Sequence, residues 1–148
     1  MMSASAARLD PKRAAEALFA AHKDERAWLD SFAEYLDRKR AGHALARTLQ
    51  VWDLSQAEAA RLFGVTRQAV GKWLAQGAPP DRAQAIADLA AATDLLVRYL
   101  KRERIPGVTR RPIAALRGAS LVDLLAQGKT PQLLSACRAM FEFGSAQA

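Results

Sequence analysis

The sequence has little of what several classes of protein require. It contains only one cysteine, Cys137, in 148 residues, so an internal disulfide cannot form. Aromatic residues make up 7% of the chain, and much of the 51% apolar content is alanine, which favours helices over a β-sandwich. No stretch approaches the roughly 18 uninterrupted apolar residues of a membrane span, and residues 1–9 lack the apolar core of a signal peptide. These absences predict an all-α, cytoplasmic protein without a membrane partner.

Catalytic and metal-binding patterns are also missing. His22 and His43 are far apart, and no cysteine or carboxylate cluster stands at metal-ligand spacing. There is no glycine-rich phosphate loop and no G-x-S-x-G sequence, while the nucleophile candidates Ser135 and Cys137 have no histidine neighbour in sequence. We therefore expect no enzyme activity, no metal and no cofactor.

Positive charge is present in excess and is unevenly distributed. Lysine and arginine total 22 against 15 acidic residues, a net charge of +7 that favours polyanionic partners. Residues 98–117 hold seven bases opposed only by Glu103. Four of these bases are candidates for contacts with phosphate or with an acidic partner, and a solvated loop is an equally good interpretation. The four are Arg102, Arg104, Arg110 and Arg111.

The first third of the chain predicts an N-terminal helical arm over residues 1–41. Asp10 and Pro11 suit an N-cap and a first helical position, and a break is predicted at residues 22–25. Apolar residues then keep helical spacing as far as the charged residues 37–40. This stripe fits ordinary core or packing on a second subunit, and ordinary core is the simpler interpretation. The stripe comprises Leu18, Trp28, Phe32, Tyr35 and Leu36. Gly42 predicts a break after the arm.

The middle of the chain, residues 42–92, has the signals of a helix-turn-helix between residues 54 and 74. Ser55 and Glu58 form a capping box at the start of the first helix. Gly64 suits the left-handed residue of a sharp turn, and Thr66 caps the second helix. Ala60 is small where the two helices cross. Val70 and Trp73 are apolar on the underside of the second helix.

Six residues of this segment are predicted to face DNA. Arginine is the usual bidentate partner of a guanine edge and glutamine that of adenine, and both stand at the N-terminal end of the second helix, which enters the major groove deepest. Gln56 begins the first helix, where backbone N–H groups can meet a phosphate. Lys72 suits phosphate, and Gly71 allows close approach. The predicted DNA-binding set is Gln56, Thr66, Arg67, Gln68, Gly71 and Lys72.

Residues 93–148 are predicted to form a C-terminal helical module for oligomerisation or partner binding. A helix capped by Asp81 should continue into this region until Ile105-Pro106-Gly107 stops it, followed by an irregular basic segment to Gly118. A capping box at Ser120 and Asp123 then predicts a short helix, and Thr130-Pro131 predicts a final one.

Two family resemblances follow from these residues. Residues 54–73, with Gln56, Ala60, Gly64, Val70 and Trp73 in register, resemble the Xre/Cro family of bacterial and phage regulators. That resemblance implies a compact helical DNA-binding domain and a homodimer on a twofold operator. The C-terminal pattern, from Arg110-Arg111-Pro112 through residues 116–125 to the last helix, is loosely similar to the C-terminal domain of Xre/MbcA/ParS-type antitoxins. This second resemblance implies binding of a toxin.

The sequence therefore predicts a sequence-specific transcriptional regulator that binds a palindromic site in double-stranded DNA as a homodimer, associated with the nucleoid. The alternative is an antitoxin whose C-terminal half binds a toxin and whose helix-turn-helix regulates its own expression. A third hypothesis is a chromosome-coating protein of low specificity, for which counterion release would dominate binding.

Overall fold

The computed structural model describes residues 10–145, and all regular structure in that range is helical. The predicted all-α fold is confirmed. Short 3₁₀ turns occur at Pro80–Arg82, Arg102–Arg104 and Ala114–Leu116. The α-helices of this range are α1 (Pro11–His22), α2 (Arg26–Trp52), α3 (Gln56–Phe63), α4 (Arg67–Gln76), α5 (Ala83–Tyr99), α6 (Ile105–Arg110), α7 (Leu121–Ala126) and α8 (Thr130–Ser145).

The chain divides into two compact units, Met1–Asp37 and Arg38–Ala148, which we call the N-terminal and C-terminal units. The predicted boundaries after residues 41 and 92 fall inside α2 and α5. That these two positions separate regions of different function stays a prediction.

The N-terminal unit holds α1 and the first part of α2. The Asp10 side chain accepts a hydrogen bond from the Arg13 N–H at 3.4 Å, so the predicted N-cap of α1 is confirmed. The predicted break between His22 and Glu25 is also present. None of the described residues of this unit is buried. The prediction that its aromatic stripe forms ordinary core is therefore wrong.

The C-terminal unit is closed around two clusters of buried residues. One cluster joins α2 to the α3–α4 pair and to the start of α5, through side chains such as Leu45, Val70 and Ile86. The other runs from the end of α2 to α8, and includes Trp52, Leu62, Leu96, Leu121, Leu133 and Cys137. Because Leu62 of α3 lies in this second cluster, the C-terminal helices are packed directly on the helix-turn-helix.

The predicted break at Gly42 is wrong, because α2 passes through this residue without interruption. A Cβ on Gly42 would lie 2.8 Å from the Trp73 carbonyl oxygen and 3.2 Å from the Gly77 Cα. Glycine therefore serves here to let α2 pass close to the end of α4. A helical glycine used for close packing has the same sequence signal as one that ends a helix.

The segment after α4 also differs from its prediction. Asp81 lies in the 3₁₀ turn Pro80–Arg82, and α5 begins after it at Ala83 without a side-chain cap. The helix then ends at Tyr99, because Leu100 has an extended backbone. Ile105-Pro106-Gly107 starts α6 and does not stop a helix, since proline is compatible with a first helical turn and Ile105 is fully buried. The predicted irregular basic segment is therefore α-helical as far as Arg110, and beyond it the regular structure is the 3₁₀ turn Ala114–Leu116.

Candidate nucleic-acid interface

The first helix of the predicted DNA-binding pair begins at a complete capping box. The Ser55 Oγ accepts from the Glu58 N–H at 3.1 Å, and Glu58 Oε2 accepts from the Ser55 N–H at 2.9 Å. The second bond is the main reason why the pKa of Glu58 lies below its ordinary value. This reciprocal pair fixes the N-terminus of α3, where Gln56 stands.

The turn between α3 and α4 has the predicted geometry. Gly64 has φ 68° and ψ 35°, the left-handed conformation that favours glycine. The Val65 N–H donates to the Ala60 carbonyl at 2.9 Å, which closes the last turn of α3. The Thr66 Oγ1 then accepts from the Ala69 N–H at 3.1 Å and caps α4. These bonds set the direction in which α4 leaves the turn.

The underside of α4 is closed by the residues that the sequence indicated. Ala60, Val70 and Trp73 are all buried. The Phe63 ring meets the Trp73 ring edge to face, with centroids 5.9 Å apart and planes at 86°. The Arg82 guanidinium lies 5.6 Å from the centre of the Trp73 ring and donates to the Phe63 carbonyl at 3.3 Å. These contacts pack the underside of α4 against α3 and the turn that follows α4.

The opposite side of the pair is exposed and polar. Arg67, Gln68 and Lys72 are exposed on α4, and Gln56 is exposed at the start of α3. The structure brings Gln56 to Gly71, because a Cβ on Gly71 would lie 3.5 Å from Gln56 Oε1. An unobstructed polar surface with arginine and glutamine at a helix N-terminus is suited to base edges, with lysine and Gln56 suited to phosphate.

Two contacts at the other end of α4 were missed by sequence analysis. The Lys39 Nζ donates to the Ala75 carbonyl at 3.4 Å, and the Ala78 N–H donates to the Arg38 carbonyl at 3.3 Å. Gly77 has φ 102°, and a Cβ there would lie 2.6 Å from the same Arg38 carbonyl oxygen. The partners are more than 30 residues apart, so local spacing carries no signal for these contacts.

The four predicted basic contacts are in different environments. Arg102, Arg104 and Arg111 are exposed, and Arg104 and Arg111 line one shallow hollow of about 440 Å³. Arg110 also counts as exposed, but its guanidinium is used internally. It donates at 2.9 Å to the carbonyls of Trp52, Asp53 and Pro106. Arg110 therefore caps the C-terminus of α2, where a cation is favourable.

A second exposed surface lies on α5 and α8 and was not recognised from the sequence. Tyr99 is 52% exposed and stacks on Phe141, with ring centroids 4.6 Å apart and planes at 19°. The Arg98 guanidinium lies 5.4 Å from the Tyr99 ring centre. Arg138 lies beside Phe141 in a shallow pocket between the helices. We call these four residues the α5–α8 surface, and its apolar rings bordered by arginines are suited to a protein partner.

Metal-ligating side chains and a single thiol also occur among the described residues. No group of three or more histidine, cysteine, aspartate or glutamate side chains among them could hold a metal ion. Cys137 is fully buried, and desolvation raises the pKa of its thiol to about 12. No helix in the described part of the chain combines the length and apolar character needed to cross a bilayer.

Comparison with known proteins shows a similarity of fold. The sequence matches no protein-family model and no curated protein sequence. The fold is similar to that of a chain in the crystal structure of the M. tuberculosis MbcT-MbcA toxin-antitoxin complex, with a TM-score of 0.56 and 22% identity. The match covers 68% of this chain and 93% of that chain. At this identity the likeness shows a shared fold.

Proposed function

We propose that this protein is the antitoxin of a toxin–antitoxin pair, in which the C-terminal unit binds a protein toxin and the α3–α4 pair binds DNA to regulate expression of the pair. The observation that carries this proposal is the fold similarity to nearly the whole of a chain from a toxin–antitoxin complex. The resemblance of residues 110–125 to the C-terminal domain of Xre/MbcA/ParS-type antitoxins supports it.

The α5–α8 surface is the best candidate for toxin binding. Exposed aromatic side chains supply large apolar contact area at low entropic cost, and arginine is enriched at protein interfaces. Of the charges beside this surface, Asp94 is already paired with Arg47. Glu142 lines the same pocket as Arg138, so the surface carries both signs of charge beside its rings, as the polar rim of a protein interface does.

A growth assay tests toxin neutralisation. The product of the reading frame adjacent to this gene is expressed alone and together with the full chain; we expect growth arrest in the first case and growth in the second. Arg98→Glu should weaken the rescue, whereas Lys129→Glu, the same charge reversal at an exposed position before α8, should not. An adjacent product that is harmless, or one whose toxicity the chain does not relieve, would contradict the antitoxin proposal.

For the DNA-binding part, we propose that α4 enters the major groove, with Arg67 and Gln68 reading base edges and Gln56 and Lys72 holding phosphates. The support is the capped turn, the buried underside and the exposed polar side of α4 described above. Thr66 positions the helix and Gly71 permits close approach. Two copies on a twofold site would place two such helices in successive turns of the groove.

Substitution at Arg67 tests this arrangement. Arg67→Ala should cost about 1 to 3 kcal/mol of operator binding and relax specificity at one base position. Lys72→Ala should weaken binding to all sequences alike and lower the salt slope by about 1. Arg138→Ala removes the same charge from α8 and is the control. If Arg67→Ala and Arg138→Ala bind the operator equally, α4 is not the reading element.

A sequence-specific regulator without a toxin partner is the second candidate, favoured by the same α3–α4 geometry. The growth assay separates the two, because this regulator would have no toxic neighbour to neutralise. In either case we propose a cytoplasmic, nucleoid-associated protein that binds and does not catalyse. The buried thiol of Cys137 supports the last point, since a thiol with a pKa of about 12 is rarely ionised at neutral pH.

A further inference from the structure

The N-terminal unit exposes large apolar side chains that its own helices do not cover. Phe19 is 60% exposed, Tyr35 56% and Leu36 39%. No residue of α1 is buried, and the buried residues of α2 begin at Gly42. Two helices with so little covered apolar surface gain too little from burial to offset the entropy of ordering them. The unit therefore requires a further surface to pack against.

The apolar side chains of the unit lie on one face of α2 and near the end of α1. On α2, Leu29, Phe32 and Leu36 are spaced three and four residues apart, as at the contact positions of paired helices. Trp28 and Tyr35 widen this stripe. On α1, Leu18 and Phe19 lie about one turn before His22, which is the residue that meets α2. We call these seven apolar residues the N-terminal stripe.

Stacking between rings holds part of the stripe in one arrangement. The His22 and Trp28 rings are stacked with centroids 3.5 Å apart and planes at 8°, and Trp28 stacks in turn on Phe32 at 5.2 Å and 9°. The Glu25 N–H donates to the His22 carbonyl at 2.8 Å and tightens the connection between the helices. An interface formed by such preorganised rings loses less conformational entropy on binding.

Charge indicates what covers the stripe. Residues 1–37 carry five basic and seven acidic side chains, a net charge of −2, whereas residues 38–148 carry 17 and eight, a net charge of +9. Two C-terminal units repel each other, but two N-terminal units do so only weakly. Next to the stripe both signs alternate, as in the exposed pair of Arg26 and Asp30. Mixed signs do not fit a polyanion and are compatible with self-association.

The size of the stripe is also appropriate for a dimer. In a twofold interface both copies contribute the same surface, so every side chain of the stripe buries area on both sides. Aromatic side chains can bury about 150–250 Å² each. Phe19 and Tyr35 are more than half exposed and Trp28 and Phe32 are half-buried, so with the leucines they supply part of the roughly 800 Å² per partner of a specific interface.

We propose that the N-terminal stripe is a homodimerisation surface, which pairs with the same stripe of a second copy of this chain in a four-helix contact. This rests on the proposed function, in which two copies bind a twofold site, and assigns the surface that joins them; it does not depend on toxin binding. The stripe is Leu18, Phe19, Trp28, Leu29, Phe32, Tyr35 and Leu36.

Light scattering of the full chain tests the proposal. The wild-type protein should have twice the 16.1 kDa mass of one chain. The double variant Phe19→Glu/Leu36→Glu should raise the dimer dissociation constant at least about tenfold, equivalent to about 1.4 kcal/mol. Both positions are exposed in the single chain, so the fold should be retained. Met140→Glu, at an exposed apolar position of α8, is the matched control and should remain dimeric.

Thiol cross-linking locates the interface independently. Cys137 is buried and unreactive, so an introduced cysteine is the only accessible thiol. A flexible bis-maleimide linker should join two copies of Leu36→Cys efficiently and two copies of Gln127→Cys, on the exposed end of α7, hardly at all. A wild-type protein that is monomeric, a glutamate variant that stays dimeric, or equal cross-linking at both positions would each overturn the proposal.

Discussion

Two of the helix pairs that are joined by short connections, α1–α2 and α3–α4, differ in how they are held. The α3–α4 pair has few large residues, yet it is closed: Ala60 lets the helices cross, Gly64 turns the chain, and Trp73 fills the angle between them. The α1–α2 connection has more aromatic residues, but none of the described residues before Gly42 is buried. A small residue at the crossing and a specific turn thus matter more for a local core than the number of apolar side chains.

The same difference bears on the two proposed roles. Reading base edges, as we propose for the closed pair, requires a polar surface on a well-packed support. The interface that we propose for the N-terminal stripe instead requires apolar rings that the single chain leaves uncovered.

The largest difference is expected for tryptophan. Trp73→Ala should lower the free energy of unfolding by about 3–5 kcal/mol, because a ring only 8% exposed leaves a cavity. Trp28→Ala should cost no more than about 1 kcal/mol in the single chain, since its ring is only half-buried. Urea denaturation followed by circular dichroism, at concentrations low enough to keep the protein monomeric, measures both. Equal losses would mean that the N-terminal unit has a closed core of its own.

Substitution of two glycines by alanine tests how closely the surroundings of α4 are packed. Gly42→Ala should destabilise the protein by about 1–3 kcal/mol, because the new Cβ would meet the Trp73 carbonyl oxygen at 2.8 Å. Gly71→Ala meets only the end of the Gln56 side chain at 3.5 Å, so the better helix propensity of alanine should stabilise the protein by about 1 kcal/mol.

Operator binding by the Gly71→Ala variant tests whether this glycine allows close approach to DNA. If the glycine is present for close approach to DNA, this more stable variant should bind the operator less tightly than the wild type. Unchanged binding would remove Gly71 from the DNA-binding set.

The smallest difference is expected at the helix N-caps. Thr66→Ala should cost about 1 kcal/mol, because the Ala69 N–H loses its acceptor within the packed unit. Thr66→Ser keeps the acceptor and should recover most of that loss. Asp10→Ala removes the corresponding bond of α1, and we expect it to leave the main unfolding transition unchanged. A shift of that transition by Asp10→Ala would argue that α1 is folded cooperatively with the rest.

Local chemistry made the caps and the turn of the α3–α4 pair predictable from sequence. The capping box of Ser55 and Glu58, the left-handed Gly64 and the cap at Thr66 act within four residues, so their spacing is sufficient to recognise them. The same holds for the second capping box at Ser120 and Asp123, which the structure also contains.

Contacts between distant residues account for what could not be predicted. Gly42 is the clearest case, since its role depends on the Trp73 carbonyl 31 residues later. Arg110 is another: its predicted environment was a loop, but it donates to the carbonyls at the end of α2, 57 and 58 residues away in sequence. Whether an apolar stripe is covered is likewise a property of the packed chain, which helical spacing alone does not reveal.

Binding to the DNA upstream of its own gene tests the account most directly. The full chain is titrated with that DNA and with random DNA of equal length at increasing salt concentration. We predict that the upstream DNA binds more tightly at every salt concentration, and that Arg67→Ala lowers this preference by about 1 to 3 kcal/mol, much more than it weakens binding to random DNA. Equal affinity for both DNAs, falling together with salt, would contradict the account and indicate a chromosome-coating protein.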